Sequence, residues 1–249
     1  MRPAVLVTGG ARRIGAAMAT AFGEAGWHVV IHHRASHDEA ETLAASLPSA
    51  ECVECDLADG EAAVAMIRGL AVRLEDWRML INCAAVFRED TAKALQPGVF
   101  DEAMAVNAET PVRMAQTFLA HARAKGGRRV VHVTDMKLAN PNPDFFSYTM
   151  SKHALAASVP MLAMAQACPE DRVYAIAPGA ILASHDQSEE ETEVSHRMNL
   201  LHRKTGPEEV ARAAMFLSEG WLASGETIYV DSGQHLLSQR RDVLYLARE

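Results

Sequence analysis

Residues 4–15 read AVLVTGGARRIG, and this stretch decides the fold. Residues 4–8 form a short, mainly apolar run, which is typical of a buried strand. Two glycines then allow the chain to turn sharply, and apolar residues recur with a 3.6-residue period from Ile14 until Gly26 stops the pattern. A buried strand that turns directly into a helix predicts the first βα unit of an α/β protein.

Strand-like and helix-like patterns alternate along the rest of the chain, with no internal repeat and no linker. Buried strands separated by helices form a parallel sheet between two helical layers, and right-handed crossovers make that sheet doubly wound. The sequence therefore predicts one Rossmann-like α/β domain over residues 1–249. Its further strands are predicted at 27–33, 51–55, 79–83, 129–134, 172–177 and 227–230, and its helices at 14–26, 36–47, 61–74, 97–106, 108–125, 145–167 and 207–218. Ser36 and Glu39 have the spacing of a capping box for the second helix.

Composition and charge exclude several classes of protein. The chain has 249 residues, of which 49% are hydrophobic, and its 24 basic and 32 acidic residues give a net charge of −8. This balance argues against a nucleic-acid surface and against a polybasic membrane contact. No apolar run is long enough to span a bilayer, and the first residues lack the pattern of a cleavable signal. We expect a cytoplasmic protein that acts on a small-molecule substrate.

The cysteines and the paired histidines do not predict a metal site. Cys52 and Cys55 form a CxxC, but the second pair that a structural zinc site usually needs does not follow. His32 and His33 are neighbours on a predicted strand, so their side chains point to opposite faces. We interpret the four cysteines as core or incidental residues of a reduced compartment, and we predict no metal.

The turn after the first strand has the features of a phosphate-binding turn. Small residues let the backbone approach a pyrophosphate, and the N-terminus of the following helix offers free N–H groups and the positive end of its dipole. Gly15 would allow the helix to pack closely on the strand. The common GxGxxG spacing is absent, so an ordinary tight βα turn is the alternative.

The end of the second predicted strand indicates which dinucleotide would bind. NAD-binding sites usually place an acidic residue here for the ribose hydroxyls, but the sequence His32-His33-Arg34 offers none before Asp38. Arg34 is instead placed to meet a 2′-phosphate, and Arg12 or Arg13 would add a second cation. NADP(H) is therefore the predicted cofactor, with a surface arginine at position 34 as the alternative.

An acid–base group is predicted at the carboxyl edge of the sheet. Tyr148 and Lys152 are four residues apart and lie on one face of the long helix, where the ammonium is expected to lower the pKa of the phenol. Asp135 follows the fifth strand, Asn82 ends the fourth, and Pro178-Gly179 follows the sixth. These strand ends converge where a doubly wound sheet binds its ligand.

The motifs together resemble the short-chain dehydrogenase/reductase family over essentially the whole chain. The similar segments, all read from the printed sequence, are TGGARRIG at residues 8–15, Cys55-Asp56-Leu57, Asn82-Cys83-Ala84-Ala85, Asn107, Tyr148 with Lys152, Pro178-Gly179 and Val230-Asp231-Ser232-Gly233. Three motifs depart from the usual pattern. Arg13 replaces the middle glycine, Asp135 replaces the catalytic serine, and NCAA replaces NNAG. The first two departures resemble the pteridine reductase branch, which includes bacterial dihydromonapterin reductases.

The resemblance implies a role for each matching residue. Tyr148 would donate a proton, Lys152 would hold the nicotinamide ribose, Asn107 would organise a water relay, and Asp135 would position a proton for a ring nitrogen. The implied substrate contacts are Arg13, Phe87 (on which a pterin ring would stack), Asp135 and Tyr148. The implied cofactor contacts are Gly9, Arg12, Arg13, Ile14, Gly15, His33, Arg34, Asp56, Leu57, Asn82, Ala84, Thr134, Tyr148, Lys152, Pro178, Gly179 and Ile181. The family also implies a homotetramer.

The function implied is reduction of a C=N bond in a dihydropterin of the dihydromonapterin, dihydrobiopterin or dihydrofolate type. The alternatives are a carbonyl reductase of the same family and a silent NADP(H)-binding module. Residues 183–204 form a polar insertion with an acidic run, which we interpret as a solvated loop or a substrate lid. Residues 236–249 would cover a neighbouring subunit or end the chain in solvent.

Overall fold

The chain forms one seven-stranded, all-parallel sheet with helices on both faces. The structure, a computed structural model, describes residues 2–183 and 187–249. The strand order is β3-β2-β1-β4-β5-β6-β7, which reverses direction between β1 and β4. The predicted α/β fold is therefore confirmed. The strands are β1 Ala4–Val7, β2 His28–His33, β3 Ala50–Glu54, β4 Trp77–Asn82, β5 Arg129–Val133, β6 Arg172–Pro178 and β7 Thr227–Val230.

The helices follow the predicted alternation, and none that the structure describes is long and apolar enough to cross a membrane. A π-helical turn, Ala105–Glu109, separates two of them, so the helix predicted to begin at 108 begins at Thr110. The helices are α1 Arg13–Glu24, α2 His37–Ser46, α3 Gly60–Arg73, α4 Pro97–Met104, α5 Thr110–His121, α6 Phe146–Met164, α7 Glu189–Ser195, α8 Pro207–Ser218 and α9 Val243–Leu246.

Each face of the sheet is covered by its own apolar layer. Leu6 on β1 packs with Trp77 and Phe118 towards α3 and α5, whereas the neighbouring Val7 packs with Phe22 towards α1 and α8. These side chains are fully buried. Burial on both faces explains why the strands read as continuous apolar runs. The polar side chains of the candidate site follow directly after these buried strands.

The capping box predicted for α2 does not form. Ser36 is the N-cap, but its side chain makes no capping hydrogen bond. Glu39 forms an ion pair with Arg12 instead. The glutamate therefore links α2 to the turn after β1, and that tertiary partner replaces the local one.

Two segments left open by the sequence are ordered against the rest of the chain. The acidic run expected to be a solvated loop forms the first turn of α7, where Ser188 and Glu191 make a capping box and the carboxylates face the positive helix end. Residues 184–186 of the predicted lid lie outside the described residues. At the chain end, α9 packs against α7 of the same chain, so residues 243–246 do not simply end in solvent. Cover of a neighbouring subunit by residues 236–249 stays a prediction.

Candidate active site

A cavity of about 730 Å³ opens at the carboxyl edge of the sheet. It is lined by residues that follow six of the strands, and it brings together nearly all of the predicted site residues. Asn82 and Asn107 are the two predicted residues that do not line it. Those that do are Gly9, Arg12, Arg13, Ile14, Gly15, His33, Arg34, Asp56, Leu57, Ala84, Phe87, Thr134, Asp135, Tyr148, Lys152, Pro178, Gly179 and Ile181.

The turn after β1 is as tight as its glycines suggested. Gly9 has a left-handed backbone with φ of 63°, and a Cβ on Gly15 would lie 2.1 Å from the carbonyl oxygen of Gly9. Only glycine fits such an approach of the helix to the turn. Arg13 also has a positive φ, 55°, although it carries a side chain. Strain of this kind persists where the surrounding structure over-determines the backbone, which is common at functional sites.

His32 links this turn to the end of β3 by hydrogen bonds, a role that the sequence analysis did not predict. Its Nδ1 accepts a hydrogen bond from the Gly9 N–H at 3.2 Å, and its Nε2 donates to the carbonyl oxygen of Cys55 at 3.0 Å. Burial lowers the pKa of His32 to about 4, so the ring is neutral at physiological pH. The alternation of side chains along β2 could have indicated an inward-facing polar residue at this position.

The cations at the nucleotide end of the cavity differ in their partners. Arg34 makes no ion pair with any residue of 2–183 or 187–249, whereas Arg12 is paired with Glu39. Arg13 donates to the carbonyl oxygens of Ala183 at 2.9 Å and Leu182 at 3.2 Å. The geometry thus leaves Arg34 as the cation most available to an anion.

His33 lies beside Arg34, and its Nδ1 is buried without a hydrogen-bond partner among residues 2–183 and 187–249. One possible ligand atom on each of His33, His37 and Glu54 lies within 4.8 Å of the others. The last two residues are exposed, and His33 faces the same end of the cavity as Arg34. The absence of a metal here stays a prediction.

A carboxyl–phenol pair occupies the other end of the cavity. The Tyr148 hydroxyl donates to Oδ2 of Asp135 at 2.7 Å, while the Lys137 backbone N–H donates to Oδ1 at 2.8 Å. Burial raises the pKa of Asp135, against the opposing effects of these two hydrogen bonds and of the Lys137 and Lys152 charges. The pair therefore holds a proton between two oxygen atoms that face the cavity.

The expected lowering of the Tyr148 pKa by Lys152 is wrong for this arrangement. Burial and the adjacent Asp135 carboxylate raise the pKa of Tyr148 well above its usual value. The Lys152 ammonium lies 5.7 Å from the centre of the Tyr148 ring and donates to the carbonyl oxygen of Val133 at 2.6 Å. Sequence spacing placed the ammonium on the correct helix face but could not show that a carboxylate is closer to the phenol.

The two buried asparagines hold the walls of the site. Asn107 lies in the π-helical turn, accepts from the Val86 N–H at 2.8 Å, and donates to the Val86 carbonyl and to Ser151. Asn82 donates to the carbonyl oxygen of Pro111 and to Nδ1 of His132. The Asn107 side chain is committed to protein partners, whereas Oδ1 of Asn82 is buried without a hydrogen-bond partner among the described residues. The relay role of Asn107 and the cofactor role of Asn82 stay predictions.

Phe87 is held in an aromatic cluster at the mouth of the cavity. Its ring stacks on Phe145 with centroids 4.1 Å apart and meets Tyr148 edge-on at 4.7 Å. Tyr245 stacks on the far side of Phe145 at 6.0 Å. Phe87 remains 38% exposed, so part of the ring is open to a flat ligand beside the Asp135–Tyr148 pair.

Sequence reasoning also missed the outer wall of the cavity. Asp242, Val243 and Leu244 of the C-terminal segment line it, together with Lys137, which is 5% exposed. No local pattern indicates that residues so far along the chain return to this edge. Asp144 holds the C-terminal segment by accepting hydrogen bonds from Arg241 and Asp242. The sequence around Asp144 does not indicate this contact either.

The fold and this site define a class of protein, and the comparisons with known proteins agree. The sequence profile of a family described as enoyl-(acyl carrier protein) reductase matches residues 9–235. The chain therefore belongs to the short-chain dehydrogenase/reductase family of oxidoreductases, as its motifs predicted.

Three individual relatives are similar to this chain over nearly its whole length. The FolM alternative dihydrofolate reductase 1 of Brucella suis, crystallised with NADP, is 36% identical with a TM-score of 0.89, and the match covers 96% of each chain. The angucycline C-6 ketoreductase LanV with bound NADP is 27% identical with a TM-score of 0.84, over 94% of this chain and 96% of that one. A dihydromonapterin reductase of Citrobacter koseri is 24% identical, over 93% of this chain and 96% of its own.

Proposed function

We propose that this chain is an NADPH-dependent reductase of a C=N bond in a dihydropterin. The observation that carries the proposal is the Asp135–Tyr148 hydrogen bond at 2.7 Å, because the family usually places a serine where Asp135 stands. Similarity to the Brucella suis reductase and to the Citrobacter koseri reductase supports this substrate class. Dihydromonapterin, dihydrobiopterin and dihydrofolate are its candidate members.

The residues at the nucleotide end fit NADP(H), the cofactor bound in the solved relatives. The N-terminus of α1 has no side-chain cap and no acidic residue in its first turn, so its N–H groups can meet a pyrophosphate. A Cβ at Gly15 would collide with the Gly9 carbonyl oxygen and push the helix away from that turn. Arg34 supplies a cation for the 2′-phosphate, and the unpartnered Nδ1 of His33 offers a further polar contact nearby.

The chain orients the substrate and manages its proton. The nicotinamide, when bound, supplies a hydride to the carbon of the C=N bond. Lys152 is buried at the Asp135–Tyr148 end of the cavity. Its ammonium can hold the ribose hydroxyls there and oppose negative charge on Tyr148 and Asp135. Tyr148 and Asp135 share the proton that the neighbouring ring nitrogen must receive, and positioned donors of this kind accelerate proton transfer.

An aspartate suits this reaction better than a serine. A serine hydroxyl can donate a hydrogen bond to a carbonyl oxygen, but it cannot pair with an amino-pyrimidine edge through two oxygen atoms. A carboxyl whose pKa is raised by burial can also carry a proton to a nitrogen. Phe87 then provides a face for the pterin ring, and Arg13, which lines the cavity, would reach both the cofactor phosphates and the pterin.

The purified protein should oxidise NADPH when a dihydropterin is added. A panel of dihydropterins and ketones, each assayed with NADPH and with NADH, tests the proposal directly. Turnover with at least one dihydropterin, and preference for NADPH, is the expected result. Turnover with ketones and with no pterin would reject the proposal in favour of a carbonyl reductase, which similarity to the LanV ketoreductase makes the second candidate.

Three wider expectations belong to the same proposal. Residues 183–204, which include α7, would act as a substrate lid, because Gln187, Ser195 and His196 line the cavity. The family implies a homotetramer through the long helices, where α6 leaves Met161 and Met164 exposed. Light scattering of the purified protein tests that assembly, and the cytoplasmic location stays a prediction.

A further inference from the structure

Lys137 places a buried ammonium beside the proposed proton-donating pair. Its side chain is 5% exposed, and its Nζ donates to the carbonyl oxygen of Asp144 at 2.7 Å and to Oδ2 of Asp242 at 3.2 Å. Its own backbone N–H holds Oδ1 of Asp135. None of the motifs that identify the family assigns this residue a task.

A buried ammonium is costly unless hydrogen bonds and a counter-charge compensate it. Asp242 is the counter-charge, and it comes from the far end of the chain. Its side chain also caps α9 by accepting from the Leu244 N–H at 3.1 Å. One carboxylate therefore both orders the C-terminal segment and faces the cavity that holds Asp135.

The C-terminal segment, residues 241–248, is fastened to three other parts of the chain. Arg241 Nε donates to Oδ2 of Asp144 at 2.8 Å, and the Tyr245 hydroxyl donates to Oε1 of Glu89 at 2.5 Å. Arg248 Nε donates to Oε1 of Glu191 on α7 at 2.9 Å. These contacts hold Asp242 against Lys137.

We propose that Lys137, paired with Asp242, is a positioning residue that sets the pH range over which the Asp135 carboxyl carries the proton for the substrate nitrogen. The inference rests on the proposed function, since it concerns the donor of that reaction. Lys137 need not touch the substrate: it acts through the charge it places next to Asp135 and through the carboxyl oxygen that its N–H holds.

The charges around the pair determine the direction of the effect. The charged or titratable groups that act on Asp135 are Tyr148, Lys137 and Lys152. Lys137 in turn contacts the Asp242 carboxylate and the carbonyl oxygen of Asp144. The Asp144 side chain is paired with Arg241. The Lys137 charge opposes the burial that raises the pKa of Asp135. Removing the Lys137 charge should raise the pKa of Asp135 further. Removing the Asp242 carboxylate leaves the Lys137 charge without its counter-charge and should lower the pKa of Asp135.

The test is the pH dependence of dihydropterin reduction in two charge-removing variants. Turnover should fall as the pH rises and Asp135 loses its proton. Lys137→Gln should move this fall to higher pH, by about 0.5 to 1 pH unit, and Asp242→Asn should move it to lower pH by a similar amount. Asparagine retains an oxygen that can cap α9, so the second variant changes charge more than structure.

Two control variants separate charge from structural damage. Lys137→Arg keeps the positive charge and should leave the fall in turnover at the wild-type pH. Arg68→Gln removes a positive charge from an exposed position on α3 outside the cavity, and it should also leave the fall in place. General damage would lower turnover in both charge-removing variants without moving their pH profiles in opposite directions.

The possible outcomes are distinct. Opposite displacements in Lys137→Gln and Asp242→Asn support the inference. Pterin turnover with both profiles unmoved, or moved in the same direction, overturns the role of Lys137 while the proposed function stands. If the wild-type protein reduces no dihydropterin, the proposed function fails and this inference fails with it.

Discussion

The two ends of the cavity are built in different ways. The nucleotide end consists mainly of backbone: a glycine turn with φ of 63° at Gly9, the uncapped N-terminus of α1, and His32, which braces the turn. The substrate end consists of side chains from four distant segments, centred on Asp135, Tyr148 and Phe87. A short local motif encodes the first end, whereas only the folded chain assembles the second.

The two ends of the cavity also differ in how freely their ligand can change. Backbone N–H groups bind any pyrophosphate, so the nucleotide end is tied to one type of ligand. Side chains such as Asp135 can be replaced without disturbing the sheet, since they follow the strands rather than lie within them. Substrate choice is therefore expected to depend on the second end, where Asp135 replaces the serine that is usual in the family.

The largest expected effect is on catalysis at the substrate end. Tyr148→Phe removes the hydroxyl that donates to Asp135 and should lower kcat for a dihydropterin by about 10²- to 10⁴-fold, the usual contribution of a positioned proton donor. NADPH affinity, measured by fluorescence titration, should change little because the nucleotide end is untouched. Unchanged turnover would show that the phenol is not the proton donor, whereas absence of turnover in the wild type would favour a silent NADP(H)-binding module.

Acid should weaken the nucleotide end through His32. The pKa of His32 in the folded protein is about 4, below the usual 6.5. Neutral His32 therefore contributes its full stabilisation of the folded state above pH 6.5, and this contribution is lost as the pH falls towards 4. The loss amounts to about 3 kcal/mol in the free energy of unfolding. Urea unfolding at several pH values should show this slope in the wild type and a shallower one in His32→Gln. Parallel slopes in the two proteins would contradict the account.

Arg34 should govern the choice between cofactors. Arg34→Ala should weaken NADPH binding by about 10- to 100-fold, the range of a charge-assisted hydrogen bond to a phosphate, and should leave NADH binding nearly unchanged. Arg68→Ala is the matched control, because Arg68 is an exposed arginine on α3 outside the cavity. Equal losses for both nucleotides would show that Arg34 does not contact the 2′-phosphate.

The smallest expected effect comes from Glu39, which pairs with Arg12 at the surface. Glu39→Gln frees Arg12 to approach the 2′-phosphate and should strengthen NADPH binding by about two- to fivefold, as expected for an exposed ion pair. The gain should disappear in high salt because exposed charges are screened. Weaker binding in the variant would mean that Glu39 holds Arg12 in its binding position.

How much the sequence could predict follows the same division. The alternation of buried runs and amphipathic helices predicted the sheet, because period and burial are local properties. It also placed Arg34, Asp135 and Tyr148 at one edge, since parallel strands end together. The Ser36 capping box and the lowered Tyr148 pKa failed, because in each case a partner distant in sequence, Arg12 or Asp135, competes with the near one.

Lys137 and the C-terminal segment lay beyond sequence reasoning for a further reason. A buried lysine has no pattern of its own, and whether it is paired depends on where residues 241–248 return. That return is fixed by single side-chain contacts such as Arg241 to Asp144. Contacts of this kind carry no periodicity, so they become visible only with the fold.

Replacing Asp135 with serine tests the central claim most directly. Asp135→Ser restores the residue usual in the family and removes the carboxyl that Tyr148 contacts. With NADPH, we predict that kcat/KM for a dihydropterin falls by about 10²-fold or more, while kcat/KM for a ketone stays level or rises. Equal effects on the two substrates, or unchanged dihydropterin reduction, would contradict the claim that this carboxylate adapts the site to a C=N bond.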